Sequence, residues 1–414
     1  MSSRLASPLV DTLRHLSPEV QLLLCAGYLR NDGTVDTASQ LRIHAILDSD
    51  IKWEHLIELA LYHKMLPLLC QTLSTGYRES TPISVMSQLH EMATHVAMRN
   101  IALTQELLRL LELLRTHHID ALTFKGPALT SLLYGNLMFR LFGDLDILVH
   151  QQDLLRARDL LLAHGYRLPL MSEKQPSEAE ILQHGHALHV EHETNHALVD
   201  LHWRLGGSLS PLPLTFEYLW QHQQSMPLLD TSVKTFPTEE LMIYLCVHGA
   251  KHFWYKLGWI CDVAALIRNQ PTLLNDTFMD RVKAHGAERM VLLGLLAAKQ
   301  YFGTPLPEAI LRQAKADSTV TFLLQEVHQR LFVPSPDTYE HIGPRLYRRY
   351  LQLRMRERLR DQAPLLLAIM NSILRPTQQD REVLHLPPWA SCFYYLVRPV
   401  HWLQRRGVQW LQNL

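Results

Sequence analysis

The chain of 414 residues is poor in cysteine and has no long apolar run. Its five cysteines are widely spaced, without a Cys-x-x-Cys pair, which favours buried free thiols in a reducing cytosol over a disulfide scaffold or a zinc ribbon. No segment approaches the ~20 consecutive apolar residues that a membrane span needs. The opening residues, MSSRLASPLVDTLRHL, lack the apolar core of a signal peptide. We therefore expect a cytoplasmic protein.

The sequence also lacks an excess of either charge. Forty basic and forty acidic residues give a formal net charge of zero, so nucleic acid is not the favoured partner. The charge is uneven, because residues 345–414 carry twelve Arg, no Lys and four acidic residues. This segment could contact nucleic acid or an acidic membrane, and the tail HWLQRRGVQWLQNL could make a weak membrane-surface contact. An Arg-rich helix that packs its apolar stems on the protein is the commoner structure.

What the sequence does contain is enough hydrophobic residues, 47%, for a large buried core. Apolar positions recur at helical spacing in the first and last parts of the chain, whereas the middle alternates short β-rich runs with helices. Within that middle part, ALHVEHE and ALVDLHWRL predict a hairpin. We predict a mostly helical α+β protein whose small mixed-sheet domain is flanked by helical regions. The predicted regions are 1–115, 116–235, 236–333 and an Arg-rich 334–414.

A pair of aspartates, Asp144 and Asp146, stands at the start of the apolar stretch GDLDILV. Alternate side chains of a strand share a face, so both carboxylates project together while Leu145 points away. Neighbouring carboxylates repel each other and resist burial, and a divalent cation such as Mg²⁺, which takes oxygen ligands, offsets that cost. For an isolated Asp-x-Asp pair, turn capping or solvation is the ordinary alternative.

A third carboxylate on a neighbouring strand would complete a two-metal site for phosphoryl transfer. Asp200 is the best candidate, because it is the acidic residue inside the apolar run ALVDLHWRL. Glu191 and Glu193, near the predicted turn, are weaker alternatives. His202 follows Asp200 by two residues, so it shares the same strand face and could order the site.

Lys125 and Gly126 lie between a predicted strand, IDALTF, and a helix whose first turn suits Pro127. Glycine lets the backbone approach a phosphate, a helix N-terminus favours anions, and lysine adds a point charge. Arg140, four residues before Asp144, could reach the same triphosphate. Because Lys-Gly-Pro is also common at ordinary turns, this prediction depends on the nearby aspartate pair.

In the later helical region, His248, Lys251 and His252 are spaced to share one helix face, which could line a nucleotide or acceptor cleft. A polar helix face with partly buried histidines is the alternative. The histidine-rich run HGHALHVEHETNH invites a zinc interpretation. Strand alternation puts His189 on the opposite face from its neighbouring histidines, so they do not converge, and we expect a solvated hairpin.

Several of these segments together resemble one family. FKGPALTSLLYG, R-x-x-GDLDILV, VDLHWRL and HGAKHFWYKLGWICD resemble the uncharacterised bacterial nucleotidyltransferase family of the DNA polymerase beta-like superfamily, over about residues 40–330. The resemblance implies a polymerase beta-like domain in which Asp144 and Asp146 bind the catalytic metals and Asp200 is the third carboxylate. It also favours a cleft-lining role for the His248 face.

The resemblance implies transfer of an NMP group from an NTP such as ATP to a hydroxyl or phosphate of a small-molecule or peptide acceptor, with release of pyrophosphate. Two Mg²⁺ or Mn²⁺ ions would be the cofactors, and Lys125, Gly126 and Arg140 would bind phosphates. Pro127 departs from the superfamily, which has a second small residue after its first glycine. Two alternatives stay open: a kinase-like phosphotransferase on the same scaffold and a non-catalytic nucleotide-binding protein.

Overall fold

A computed structural model gives the fold of the chain. It describes residues 15–29, 34–35, 37–168, 178, 181–182, 185–207, 210–332, 345–374, 393–395 and 398. Cys392 and the tail HWLQRRGVQWLQNL lie outside these residues. The other cysteines are free and buried, as predicted: Cys25, Cys70, Cys246 and Cys261.

Helices build the N-terminal region. Ser17 begins the first helix by accepting a hydrogen bond from the Val20 amide at 3.4 Å, and Pro18 occupies its first turn. The last helix of the region is long and continuous. The helices are α1 (Pro18–Ala26), α2 (Thr37–Leu47), α3 (Trp53–Tyr62), α4 (Leu66–Gly76) and α5 (Ile83–Thr116).

A mixed sheet follows, and it holds the predicted strands and hairpin. Among the described residues its strand order is β1-β2-β5-β4-β3, with β2 and β5 parallel and the other neighbours antiparallel. Helices α6 (Gly126–Tyr134) and α7 (Leu154–Ala163) connect its first three strands. The strands are β1 (Ala121–Thr123), β2 (Asp144–Val149), β3 (Tyr166–Arg167), β4 (Ala187–His192) and β5 (Leu198–His202).

Smaller elements that the sequence patterns did not predict complete this part of the chain. Two short strands, β6 (Gly206–Gly207) and β7 (Ser210–Pro211), pair with each other, and helix α8 (Phe216–Gln221) follows them. Strands β8 (Gln224–Leu228) and β9 (Thr231–Thr235) then form a separate hairpin.

Further helices follow Pro237. Two of them, α9 and α10, flank the segment at Tyr255 where the sequence predicts a break. The helices are α9 (Thr238–Lys251), α10 (Leu257–Asn269), α11 (Asp276–Ala284), α12 (Glu288–Phe302), α13 (Glu308–Ala316), α14 (Ser318–Leu331), α15 (Arg345–Arg354) and α16 (Leu359–Leu374). The mostly helical α+β class with a small mixed sheet is confirmed.

The Arg-rich segment forms two helices where its sequence predicts one over residues 345–362. Helix α15 ends at Arg354, where the Arg289 guanidinium donates to the Arg354 and Arg356 carbonyls, both at 3.2 Å. Arg354 itself lies over the rings of Phe322 and Tyr350, at 5.6 and 5.8 Å. Arg354 therefore packs on the protein, as the commoner structure predicts for an Arg-rich helix.

Two apolar cores organise the molecule, and helix α5 contributes to both. Its first turns, with Leu89, pack in the core shared by the N-terminal helices and the helices after Pro237. Its later turns, with Leu107 and Leu114, pack against the sheet and helix α7. None of the helices in the described part of the chain is both long and apolar enough to cross a membrane.

Candidate functional site

The pairing of β2 with β5 places two of the predicted carboxylates side by side. The strands run parallel, and Asp146 is the register partner of Asp200. Leu145 and Val199, the neighbours on the other face, are fully buried in the sheet core. The acidic side chains therefore share the opposite face of the sheet.

Asp146 is the centre of a buried ionic group. Its side chain is fully buried, and its Oδ1 accepts from Lys125 Nζ at 2.8 Å and lies 3.0 Å from His202 Nε2. Burial alone would raise the pKa of Asp146, but the Lys125 ammonium and the His202 imidazole outweigh burial and lower that pKa well below its usual range. Asp146 is thus held as a carboxylate.

Asp146, Asp200 and His202 are arranged so that they could hold a cation. Within the described residues, one ligand atom from each lies within 4.8 Å of the others. Asp146 Oδ2 and His202 Nδ1 are buried and have no hydrogen-bond partner among the described residues. Two carboxylates and an imidazole suit a divalent ion such as Mn²⁺, and the carboxylate oxygens also suit Mg²⁺.

Asp144 and Asp200 border a cleft of about 370 Å³ beside this group. Burial and the nearby Asp146 carboxylate raise the pKa of Asp144, although Lys125 partly opposes them. Asp200 Oδ1 lies 2.6 Å from His189 Nδ1, and this contact raises the pKa of His189. Glu191, the weaker sequence candidate, instead contacts Arg167 and His196.

The Lys125-Gly126 turn brings the start of helix α6 to the same cleft. Gly126 is the first residue of α6 and has a φ of +49°, and a Cβ there would lie 3.2 Å from the Asp144 carbonyl oxygen. Glycine suits both the positive φ and the close approach of the Asp144 carbonyl. Lys125 points to Asp146 and lies 5.4 Å from the centre of the Tyr244 ring.

Arg140 also borders the cleft, but its guanidinium is already paired. Its Nε donates to both carboxylate oxygens of Asp262, at 3.0 and 3.1 Å, in helix α10. The Arg140 and Asp262 side chains are only 13% and 3% exposed. Asn100 binds the Arg140 carbonyl at 2.8 Å. The structure therefore gives Arg140 a structural partner, and its contact with phosphate stays a prediction.

Helix α9 forms the opposite wall with the predicted face of His248, Lys251 and His252. Trp259 of α10 packs 5.3 Å from both histidine rings. Burial lowers the pKa of His248 well below its ordinary value and lowers that of His252 to about 3, with nearby lysines adding to the effect. Both histidines are therefore neutral near pH 7.

Several cleft residues were missed by sequence reasoning, among them a lysine and two histidines. Lys64, from the α3–α4 turn, lines the cleft although it precedes the sheet by more than fifty residues. His186 and His189 both line the cleft. His186 precedes β4, so the alternation of side chains along a strand does not apply to it. His192 instead packs against Tyr166 at 4.9 Å. In the sequence, the signal that could have identified Lys64 is a basic residue in a short turn between two helices, and this signal is weak.

The comparison with protein families agrees with the predicted family. The sequence profile of a family described as uncharacterised nucleotidyltransferase matches residues 49–303. No curated protein matches the chain. Among solved structures, an antigenic nucleotidyltransferase-like protein from Paracoccidioides brasiliensis is similar at 15% identity, over 54% of this chain and 92% of that chain, with a TM-score of 0.28. The family profile matches more than half of the residues of this chain, so the chain belongs to this family of uncharacterised nucleotidyltransferases.

Proposed function

We propose that the protein is a metal-dependent enzyme that transfers an NMP group from an NTP to a hydroxyl or phosphate acceptor and releases pyrophosphate. One observation carries the proposal: Asp144 and Asp200 line one cleft with Gly126 at the start of helix α6, and the buried Asp146 is the register partner of Asp200. This arrangement lies within the segment that matches the nucleotidyltransferase family.

Mg²⁺ or Mn²⁺ would be held by Asp144, Asp146 and Asp200, with His202 beside them. Asp146 Oδ2, which has no partner among the described residues, and the 4.8 Å cluster of Asp146, Asp200 and His202 support the metal site. Asp144 is included because it lines the same cleft as Asp200. When bound, two such ions would neutralise the phosphate charge and polarise the reacting oxygens. The pair of ions and their identity are part of the proposal.

The chain's own groups would position the substrates. Gly126, at the start of helix α6, lines the cleft, where its amide and the helix N-terminus would bind triphosphate oxygens. Asp200 would accept the proton of the acceptor hydroxyl while the acceptor oxygen bonds to the α-phosphorus and the bond to the β-phosphate breaks. His189, 2.6 Å from Asp200, would orient that carboxylate.

The opposite wall would bind the remaining parts of the substrates. Lys251 lies near Lys125 and Asp200, so it would contact an anionic group close to the reaction centre. His248, His252 and Trp259 offer neutral aromatic surfaces on which a base or an acceptor ring would pack.

The experiment uses NTPs labelled at either the α- or the γ-phosphate, with Mg²⁺ or Mn²⁺ and fractionated small-molecule and peptide acceptors. Transfer of the α-label with release of pyrophosphate supports the proposal. Transfer of the γ-label identifies a phosphotransferase, and NTP binding without transfer identifies a binding protein; either result overturns the proposal. Asp200→Asn should reduce transfer at least about 100-fold, whereas Asp159→Asn, an exposed aspartate in helix α7, should not.

A further inference from the structure

Lys125, the lysine nearest to the aspartate pair, already has a buried counterion. Its Nζ lies 2.8 Å from Asp146 Oδ1, and its side chain is 14% exposed. Because a buried ion pair resists separation, Lys125 serves chiefly to balance Asp146. The residue after Gly126 is Pro127, which lacks an amide hydrogen and so cannot donate to a phosphate. The cleft therefore needs another cation for a triphosphate.

Two other lysines line the cleft: Lys251, which Asp200 attracts, and Lys64, which Asp144 attracts. Lys64 is the candidate for the triphosphate, because it lines the cleft together with Gly126 and lies near Asp144. No ion pair or hydrogen bond of its ammonium occurs among the described residues, although Asp144 attracts it and Arg140 repels it. By contrast, Arg140 in the same wall is paired with Asp262. Lys64 is half-buried, so a phosphate that it contacts would be partly shielded from water.

The backbone at Lys64 is held in an unusual conformation. Its φ is +60°, in the left-handed region that side-chain-bearing residues rarely adopt. The turn is fixed to the start of helix α10, where the Leu257 amide donates to His63 Nδ1 at 3.2 Å and the Gly258 amide donates to the His63 carbonyl at 2.9 Å. Glycine would fit this φ with less strain, so a lysine at this position carries a conformational cost.

We propose that Lys64, delivered to the cleft by the N-terminal helical region, binds the β- and γ-phosphates of the NTP. This inference rests on the proposed function. It makes the α3–α4 turn part of the nucleotide site, so that the sheet domain alone holds an incomplete site. The carboxylates of Asp144 and Asp200 would then lie near the α-phosphate, and Lys64 would contact the leaving pyrophosphate.

The test compares binding of each NTP and each NMP, with Mn²⁺, to the full chain and its variants by calorimetry. Lys64→Gly removes the ammonium and suits the positive φ, so its melting temperature should equal or exceed that of the wild type. We expect NTP binding to weaken about 10- to 100-fold, since a charge-assisted contact is lost, and NMP binding to change less than about twofold. Lys64→Arg should recover most of the NTP affinity.

Lys52→Met is the matched control, because Lys52 is exposed on the same N-terminal region, near the start of helix α3, and does not line the cleft. Equal NTP affinity in Lys64→Gly and wild type would overturn the role of Lys64 while leaving the proposed function intact. Equal losses for NTP and NMP would overturn the assignment to the β- and γ-phosphates. Failure of the wild type to bind any NTP would overturn both proposals.

Discussion

Lys125 and Asp146 form an ion pair of 2.8 Å beneath the cleft, and the Asp146 side chain is fully buried. Removing one member of such a pair leaves the other charge buried and uncompensated. This relationship links the phosphate-facing turn after β1 to the acidic strand β2.

Asp146→Asn should therefore destabilise the fold by about 3–5 kcal/mol. Lys125→Met should have a similar cost, and the double variant Lys125→Met, Asp146→Leu should recover most of it, because no buried charge is left alone. Urea unfolding measures these differences. If the single variants and the double variant all had the same free energy of unfolding, the ion pair would contribute nothing to the stability of the fold.

Asp144→Asn should behave in the opposite way in the absence of metal. Burial and repulsion from Asp146 raise the pKa of Asp144, so removing its charge should leave stability unchanged or raise it by about 1 kcal/mol. The same variant should lose the rise in melting temperature that Mn²⁺ plus NTP gives the wild type. Asp159→Asn is the control. If Asp144→Asn kept the full rise in melting temperature, Asp144 would not be a ligand of the metal site.

Arg140 and Asp262 give a test that separates a structural role from phosphate binding. Arg140→Met should cost about 3–5 kcal/mol, because it leaves Asp262 buried and unpaired. Combining it with Asp262→Leu should restore stability. Calorimetry on that stable double variant then reports the role of Arg140 directly: unchanged NTP affinity indicates a structural arginine, and a tenfold loss indicates a phosphate ligand.

We predict that His63, which contacts the start of helix α10 from the α3–α4 turn, makes the fold sensitive to acid. Burial, aided by Lys256, lowers its pKa to about 3 in the folded state, whereas an unfolded histidine titrates near 6.5. The neutral folded form is therefore fully stable above pH 6.5 and loses stability as the pH falls towards 3, by about 1.4 kcal/mol per pH unit.

His63→Asn keeps a hydrogen-bond acceptor for the Leu257 amide but removes the titration. Compared with wild type, it should lose about 2 kcal/mol less free energy of unfolding between pH 7 and pH 5. His95→Asn, at an exposed position of helix α5, is the control for replacing a histidine. Parallel pH profiles for the wild type and His63→Asn would contradict the prediction.

Local patterns predicted the elements well because the sheet strands and helices carry clear periodicity. GDLDILV and ALVDLHWRL gave β2 and β5, and strand alternation gave the shared face of Asp144 and Asp146. Pairings between distant residues have no such signature. Arg140 and Asp262 are 122 residues apart, and only the presence of an acid within the apolar run ICDVAALI indicates a buried partner.

Lys64 shows the same limit at the level of the backbone. A positive φ at a lysine depends on how the α3–α4 turn docks against helix α10, and propensity rules assign that conformation to glycine. The alternation rule likewise misplaced His186, since it applies only after β4 has begun at Ala187. Contacts that depend on docking between regions were therefore inaccessible to sequence patterns.

The most direct test is a crystal structure of the full chain with Mn²⁺ and a non-hydrolysable NTP analogue, with manganese located by its anomalous scattering. We predict manganese bound by carboxylate oxygens of Asp144, Asp146 and Asp200, and the triphosphate against Gly126 at the start of helix α6. A nucleotide bound outside this cleft, or manganese bound away from the three carboxylates, would contradict the proposed function.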